Sequence, residues 1–308
     1  MIKFKAEAWI LLLILSLIWG SSFILMKKRL EAYPPAQMAS LRIIIAGLCL
    51  VPVALKNIRY LNRRKLFYIF LFGLLNAGLP AFLFALSETV VSSSTAGILN
   101  SLTPIFTFLA GVLFFRTRFN WLGLAGVIIG FSGGCLLIFN GNQHPGNLSL
   151  GSSQALYSSL ILVATICYGF SGNIIKHYLQ EVPGYIVSSF SYLIFGIPLL
   201  VWLLFFSDFT FRVVHNPEGI HSLLYITILA VLGSAMAIIL VVRLIQVSNA
   251  LFGSFVTYLI PIVSIMWGVL AGESITIITI ISLLIILGGI LVAGMRTIPG
   301  LKGKNLKT

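Results

Sequence analysis

Charge is scarce in this sequence. Of 308 residues, 9% are charged, and only seven are Asp or Glu. A soluble chain of this length needs far more charge to cover its surface, so the shortage excludes an ordinary soluble globular protein. Cysteine is scarce as well. Cys49, Cys135 and Cys167 all fall inside apolar runs. Three cannot all pair, and they are too far apart for a local metal site. They read as small buried apolar residues, and no cofactor or metal is expected. Catalytic patterns are missing too. There is no H-E-x-x-H, and no G-x-x-x-x-G-K-[ST] phosphate loop, which removes intrinsic ATP-driven pumping. His144, His177, His215 and His221 lie in or beside loops, and the acids are scattered. No paired carboxylates or nucleophile with a base point to an enzyme. No ring of charge or filter points to a channel. A regulatory or scaffolding membrane protein stays open as a further class.

What is present is apolar. The chain is 59% hydrophobic, with a mean hydropathy of +1.07. A spanning helix needs about 20 mostly apolar residues. Ten runs qualify: 8–26, 36–55, 66–87, 93–115, 120–139, 154–176, 184–206, 220–244, 248–270 and 275–295. The expected fold is an all-α integral membrane protein with ten transmembrane helices. The first run follows Lys3 and Lys5, as a signal peptide would. No A-x-A site follows it, and it has a partner later in the chain, so it is read as a membrane helix. The longest connections, 140–152 and 207–219, are polar and rich in turn residues.

The net charge of +13 would suggest nucleic acid for a soluble protein. Here the basic residues cluster in short loops between apolar runs, which is a membrane pattern. The expected partners are the lipid bilayer and a small-molecule substrate, not nucleic acid, with the chain a monomer or homodimer. A cytoplasmic N-terminus puts 15 basic residues inside, among them Lys56, Arg59, Arg63, Arg64 and Lys65. Four remain outside: Lys27, Lys28, Arg29 and Arg212. Both termini are therefore expected in the cytoplasm. The cluster at 27–29 argues the other way.

The halves repeat. WGSSFILMKKRL (19–30) aligns with YGFSGNIIKHYL (168–179) at an offset of 149, and residues 92–115 align with 249–272 at an offset of 157. Pro104 falls on Pro261, and Gly111 on Gly268. Five spans per half is an odd number, so the second half, 146–308, enters the membrane from the side opposite to the first, 1–145. Inverted repeats of this kind mark secondary transporters that alternate access around a midplane site.

In the fourth run, Ser93, Gly97, Asn100, Pro104, Thr107 and Gly111 share one helical face. The aligned face of the ninth reads Ala250, Ser254, Thr257, Pro261, Ser264 and Gly268. Proline lacks an N–H, so Pro104 and Pro261 free the carbonyls of Asn100 and Thr257. A bare carbonyl cannot face lipid, so both must face protein or a wet cavity. The alternative is that the small residues allow close packing and the prolines only bend the helices. Trp19 and Tyr168 occupy aligned positions and would stack on a flat or apolar substrate; interfacial anchoring is the alternative. In the third run Asn76 and Pro80 repeat the amide four residues before a proline. Ser22, Thr103, Asn173 and Tyr258 complete the candidate substrate-binding residues, with Pro80, Pro104 and Pro261 as kinks. Arg42, inside the second run, is either a receptor for a substrate anion or a structural clamp or snorkelling cation. Glu88 is the acid best placed for a proton.

WGSSF (19–23), the arginine of SLR (40–42), and ALSETVVSSSTAGILNSLTPIFTFLAGVLFF (85–115) before a glycine-rich fifth run resemble the drug/metabolite transporter superfamily. The likeness is to its EamA-type ten-helix members, and a second copy ends in AGE (271–273). The resemblance covers essentially the whole chain. It implies two inverted five-helix halves around a central cavity, in the bacterial inner membrane. It also implies transport of small metabolites, often amino acids or related compounds and often as export; some members take up nucleotides, cofactors or sugars. By position, the WGSS segment, Arg42 and the face around Asn100 and Pro104 fall where such members line or support the cavity. The chain departs from the pattern after the fourth run. The usual Gly-Glu is Phe115-Arg116 there, while Gly272-Glu273 is kept after the ninth. The expected function is a secondary transporter of a small metabolite. A nucleotide-like, cofactor or sugar-phosphate cargo, or a non-transporting scaffold or enzyme, is the alternative.

Overall fold

The computed structural model describes residues 6–29, 33–117, 119, 121–140, 153–215, 219–273 and 275–294. Among these, every regular element is helical. In lipid a helix satisfies its own backbone, which is why the long apolar runs take this form. The apolar segments are α1 (Ala6–Arg29), α2 (Pro35–Asn57), α3 (Arg63–Ser87), α4 (Ser93–Phe114) and α5 (Trp121–Asn140). They continue as α6 (Ser153–Tyr178), α7 (Gly184–Phe205), α8 (from Gly219 to Val247), α9 (from Ala250 to Leu270) and α10 (Ile277–Gly294). Among the described residues, nine of these are long and apolar enough to cross a membrane. The tenth, Ile277–Gly294, is an apolar helix of 18 residues that starts two residues later than expected, after the turn at Ala271–Gly272. The connection at 207–219 is also more ordered than its turn residues suggest, holding a short helix, Phe209–His215. There desolvation works against the Asp208 carboxylate, but hydrogen bonds from Arg212 and Gln37 hold its pKa below the usual carboxylate range. The termini and the segment 141–152 lie outside the described residues, as do Lys3, Lys5, Arg118 and the basic residues beyond 295 that entered the orientation argument.

Starts and interruptions follow local chemistry. Asn62, Ser92 and Asn249 each accept a hydrogen bond from an amide three residues on, capping α3, α4 and α9. Pro35 and Pro183 open α2 and α7, where a missing N–H costs nothing. Four helices are interrupted along their length by backbone geometry that hydropathy does not report. α3 carries a π-helical turn at Leu74–Gly78, and α8 carries one at Val231–Met236. α4 breaks at Ser101–Leu102, so Pro104 lies in the first turn of a restarted helix rather than in a bend. α9 breaks at Phe255, while Pro261 stays inside the helix that follows.

Helices meet through glycine, since lipid gives them no hydrophobic drive to associate. A Cβ on Gly47 (α2) would sit 3.2 Å from the Tyr192 carbonyl oxygen of α7, and one on Gly196 (α7) would sit 3.5 Å from that of Ile43 (α2). Likewise Gly20 (α1) backs onto Val263 of α9, and Gly169 (α6) backs onto Phe106 and Thr107 of α4. In both cases the second contact is the first one shifted by the sequence offsets. α5 and α10 pack on each other where Gly289 meets Gly126 and Gly130: a Cβ on Gly289 would collide with the Gly130 amide nitrogen and lie 2.6 Å from the Gly126 carbonyl oxygen.

Candidate functional site

A cavity of about 130 Å³ lies among α1–α4 and α6–α9. Among the described residues, none of α5 or α10 lines it. Eight of the ten candidate residues line it: Trp19, Ser22, Arg42, Asn76, Asn100, Thr103, Tyr168 and Thr257, with Pro80 beside them. Asn173 and Tyr258 do not. Asn173 is two residues past Ser171, about 200° around the helix, and its amide donates to the carbonyls of Thr107 (3.0 Å) and Gly169 (2.9 Å). It ties α6 to α4. Tyr258 is one residue past Thr257 and stacks on Phe255 at 4.7 Å. Pro104 and Pro261 are buried and are not among the described lining residues.

Arg42 is the only charged residue among the described lining residues. Its Nε donates to Ser234 Oγ at 3.2 Å, and Tyr168 and Tyr192 lie within its electrostatic reach. It does not snorkel to lipid. An arginine at helix centre costs about 2.5–3.5 kcal/mol on insertion scales, and this position offsets part of that with a polar lining. Tyr192 and Ser234 both line the cavity, and sequence reasoning missed them. Thr107 and Ser171 also reach the wall, and Glu88 is buried at the end of α3, away from it.

The two π-turns supply much of the polar surface. A π-turn leaves carbonyls without their α-helical partners. The Gly233 carbonyl accepts from Trp19 Nε1 at 3.0 Å, and that of Ala235 accepts from Ser188 Oγ at 3.1 Å. On the other turn Asn76 Nδ2 donates to Ser171 Oγ at 3.1 Å. The carbonyl of Asn100, freed by Pro104, is not bare: Thr103 Oγ1 donates to it at 2.7 Å. The expected hydrogen-bonding spot is therefore the side-chain amide instead. Asn100 Oδ1 is buried with no hydrogen-bond partner among the described residues. Aromatic and aliphatic groups, including Phe23, Phe72, Phe84 and Ile238, form the rest of the wall.

At one end of the bundle Glu273, after α9, receives both the amide and the hydroxyl of Ser93 (3.0 and 2.7 Å) and of Ser94 (3.1 and 2.7 Å). A carboxylate at a helix N-terminus satisfies orphan amides and the positive end of the dipole. This clamp holds the start of α4, and through it Asn100, against α9. Arg116, 157 positions before Glu273, offers no such acceptor and sits at φ +53°.

A polytopic helical bundle with a central, partly polar cavity of this kind is the architecture of a membrane transporter, and the comparisons agree. The EamA-like transporter family profile matches residues 7–139 and 156–295, so the chain belongs to that family. An uncharacterized inner membrane transporter of Escherichia coli K12, YedA, is 28% identical over 85% of this chain and 82% of its own. An uncharacterized transporter of Archaeoglobus fulgidus is 31% identical over 41% of this chain and 46% of its own. A protein of Streptantibioticus cattleyicolor named as a probable terminal-alkyne amino-acid exporter is 25% identical over 46% of this chain and 48% of its own. One crystal structure superposes over 96% of this chain and 100% of its own with a TM-score of 0.64 at 17% identity, a likeness of fold. The protein is a multi-pass protein of the bacterial inner membrane, of a family of transporters rather than enzymes.

Proposed function

We propose that the protein is a secondary carrier. It moves a small metabolite with an anionic group, an amino acid or related compound, by alternating access around the central cavity. The observation that carries this is the cavity itself, walled by four helices of each half and with Arg42 as its only described charge. The planar guanidinium suits a carboxylate. Trp19, Tyr168 and the phenylalanines suit an apolar portion, and Asn100 offers an unused acceptor. At about 10–15 Å³ of such space per water, 130 Å³ holds on the order of ten non-hydrogen atoms. That fits an amino acid better than a nucleotide or a phosphorylated sugar. The exporter name carried by one relative points the same way. The reciprocal glycine contacts and the two family matches support a ten-span inverted repeat with halves 1–145 and 146–308 and both termini cytoplasmic.

The test is thermal stability of the purified protein against amino acids, nucleosides, sugar phosphates and cofactors. A ligand of the folded state raises the melting temperature with occupancy. A small carboxylate is expected to stabilise, and Arg42→Gln to weaken it by about 30- to 150-fold, the loss of about 2–3 kcal/mol for a charged hydrogen bond. A ligand indifferent to Arg42→Gln puts the site elsewhere. No ligand from the whole panel favours the scaffold reading.

A further inference from the structure

The two π-turns lie at matching places in the two halves. Leu74–Gly78 in α3 and Val231–Met236 in α8 begin 157 residues apart, the offset that also relates α4 to α9. Each splits its helix into two rods: Arg63–Gly73 and Leu79–Ser87 in α3, Gly219–Ala230 and Ala237–Val247 in α8. Each turn is also tied to a helix of the opposite half by a hydrogen bond at the cavity wall. Asn76 of the first turn reaches Ser171 of α6, and Gly233 of the second takes the indole of Trp19 of α1. On the turns the tied residues are counterparts, Asn76 aligning with Gly233; on the partner helices Ser171 aligns with Ser22, one turn along α1 from the tied Trp19. The second turn also carries Ser234, which holds Arg42.

We infer that the two π-turns are paired hinges, and that occupancy of the cavity is read through them. The inference rests on the alternating-access reading. A π-turn holds one residue more than an α-helix needs, so its ladder is weakened at one point and the rods bend there at low cost. Two such hinges in inverted halves open opposite ends of the cavity by the same local movement. An anion on Arg42 competes with the Ser234 hydroxyl for the guanidinium. A ligand therefore changes the tie between α2 and the second hinge, the differential contact that a population shift requires.

The test needs no substrate. In a chain with Cys49, Cys135 and Cys167 replaced, Thr103→Cys places one thiol at the cavity. Labelling by a membrane-impermeant maleimide is measured in right-side-out and in inverted vesicles. The parent is expected to label from both sides. Deleting Leu232, whose side chain faces outward, removes the extra residue of the turn and leaves the flanking rods in register. That deletion is expected to cut labelling from one side at least tenfold. Unchanged labelling from both sides would overturn the hinge while leaving alternating access intact. A parent that labels from one side only would overturn both. If the deletion does not fold, amide hydrogen exchange of the intact protein decides. Residues 74–78 and 231–236 should exchange at least tenfold faster than the helical turns on either side, and equal protection would overturn the inference.

Discussion

Gly169→Ala probes how closely α6 approaches α4. A Cβ at Gly169 would lie 2.6 Å from the Phe106 carbonyl carbon and 2.7 Å from the Thr107 amide nitrogen. Those atoms are backbone and cannot rotate away. Ordinary contact begins at 3.4 Å, so the helices must part by about 0.8 Å. Overpacking of this kind costs about 1–3 kcal/mol. Gly172→Ala, one turn further along, meets only the Ala250 methyl at 3.9 Å, and Gly288→Ala in α10 meets nothing within 4 Å. Both controls gain helix propensity, up to about 1 kcal/mol, with no clash. Gly169→Ala gains the same propensity, so the overpacking is the difference. At about 2 °C per kcal/mol for a chain this long, it should melt about 2–6 °C below Gly172→Ala in detergent. The assay is melting of the purified variants followed by intrinsic fluorescence and by retention of the monodisperse peak. If Gly169→Ala melts with its controls, α4 and α6 do not pack as described. Asn100, Thr103 and Thr107 would then not face Tyr168 across the cavity.

Three further outcomes follow from local contacts. Glu273→Ala strips the acceptor from the buried amides and hydroxyls of Ser93 and Ser94. It should cost about 3 kcal/mol and lower the melting temperature by roughly 6 °C, with Glu273→Gln in between; an unchanged melting temperature would rule the clamp out. Arg116→Gly relieves a left-handed residue and should stabilise by about 1 kcal/mol, seen as a small rise in melting temperature. Asp208 has a lowered pKa, so its contribution is complete above the ordinary carboxylate value and is lost as pH falls through the depressed one. Asp208→Asn should therefore differ from the parent in melting temperature at neutral pH and converge with it in strong acid.

The helices were legible because hydropathy alone governs them. The expected 184–206 became Gly184–Phe205, and 36–55 became Pro35–Asn57. The wall was legible where polarity stands out against lipid, as at Arg42, Asn76 and Asn100. It was not legible at Ser234, one small hydroxyl in an apolar helix, whose position depends on a π-turn with no proline or charge to announce it. Asn76 before Pro80 was a sign of the first π-turn, and the offset of 157 could have carried that sign onto Gly233–Ser234. Asn173 and Tyr258 fell on helices that line the cavity but on other faces of them. Helical phase separated them from Ser171 and Thr257. The clamp at Glu273 joins residues about 180 apart in sequence, and no local pattern foretells such a pair.

Solute counterflow tests the carrier account most directly. Proteoliposomes are loaded with the best-stabilising compound of the thermal panel and diluted into its radiolabelled form. A carrier predicts transient, saturable accumulation of label above equilibrium, lost or greatly reduced in Arg42→Gln. Label that enters linearly without overshoot, or equally in Arg42→Gln, would contradict alternating access around this cavity.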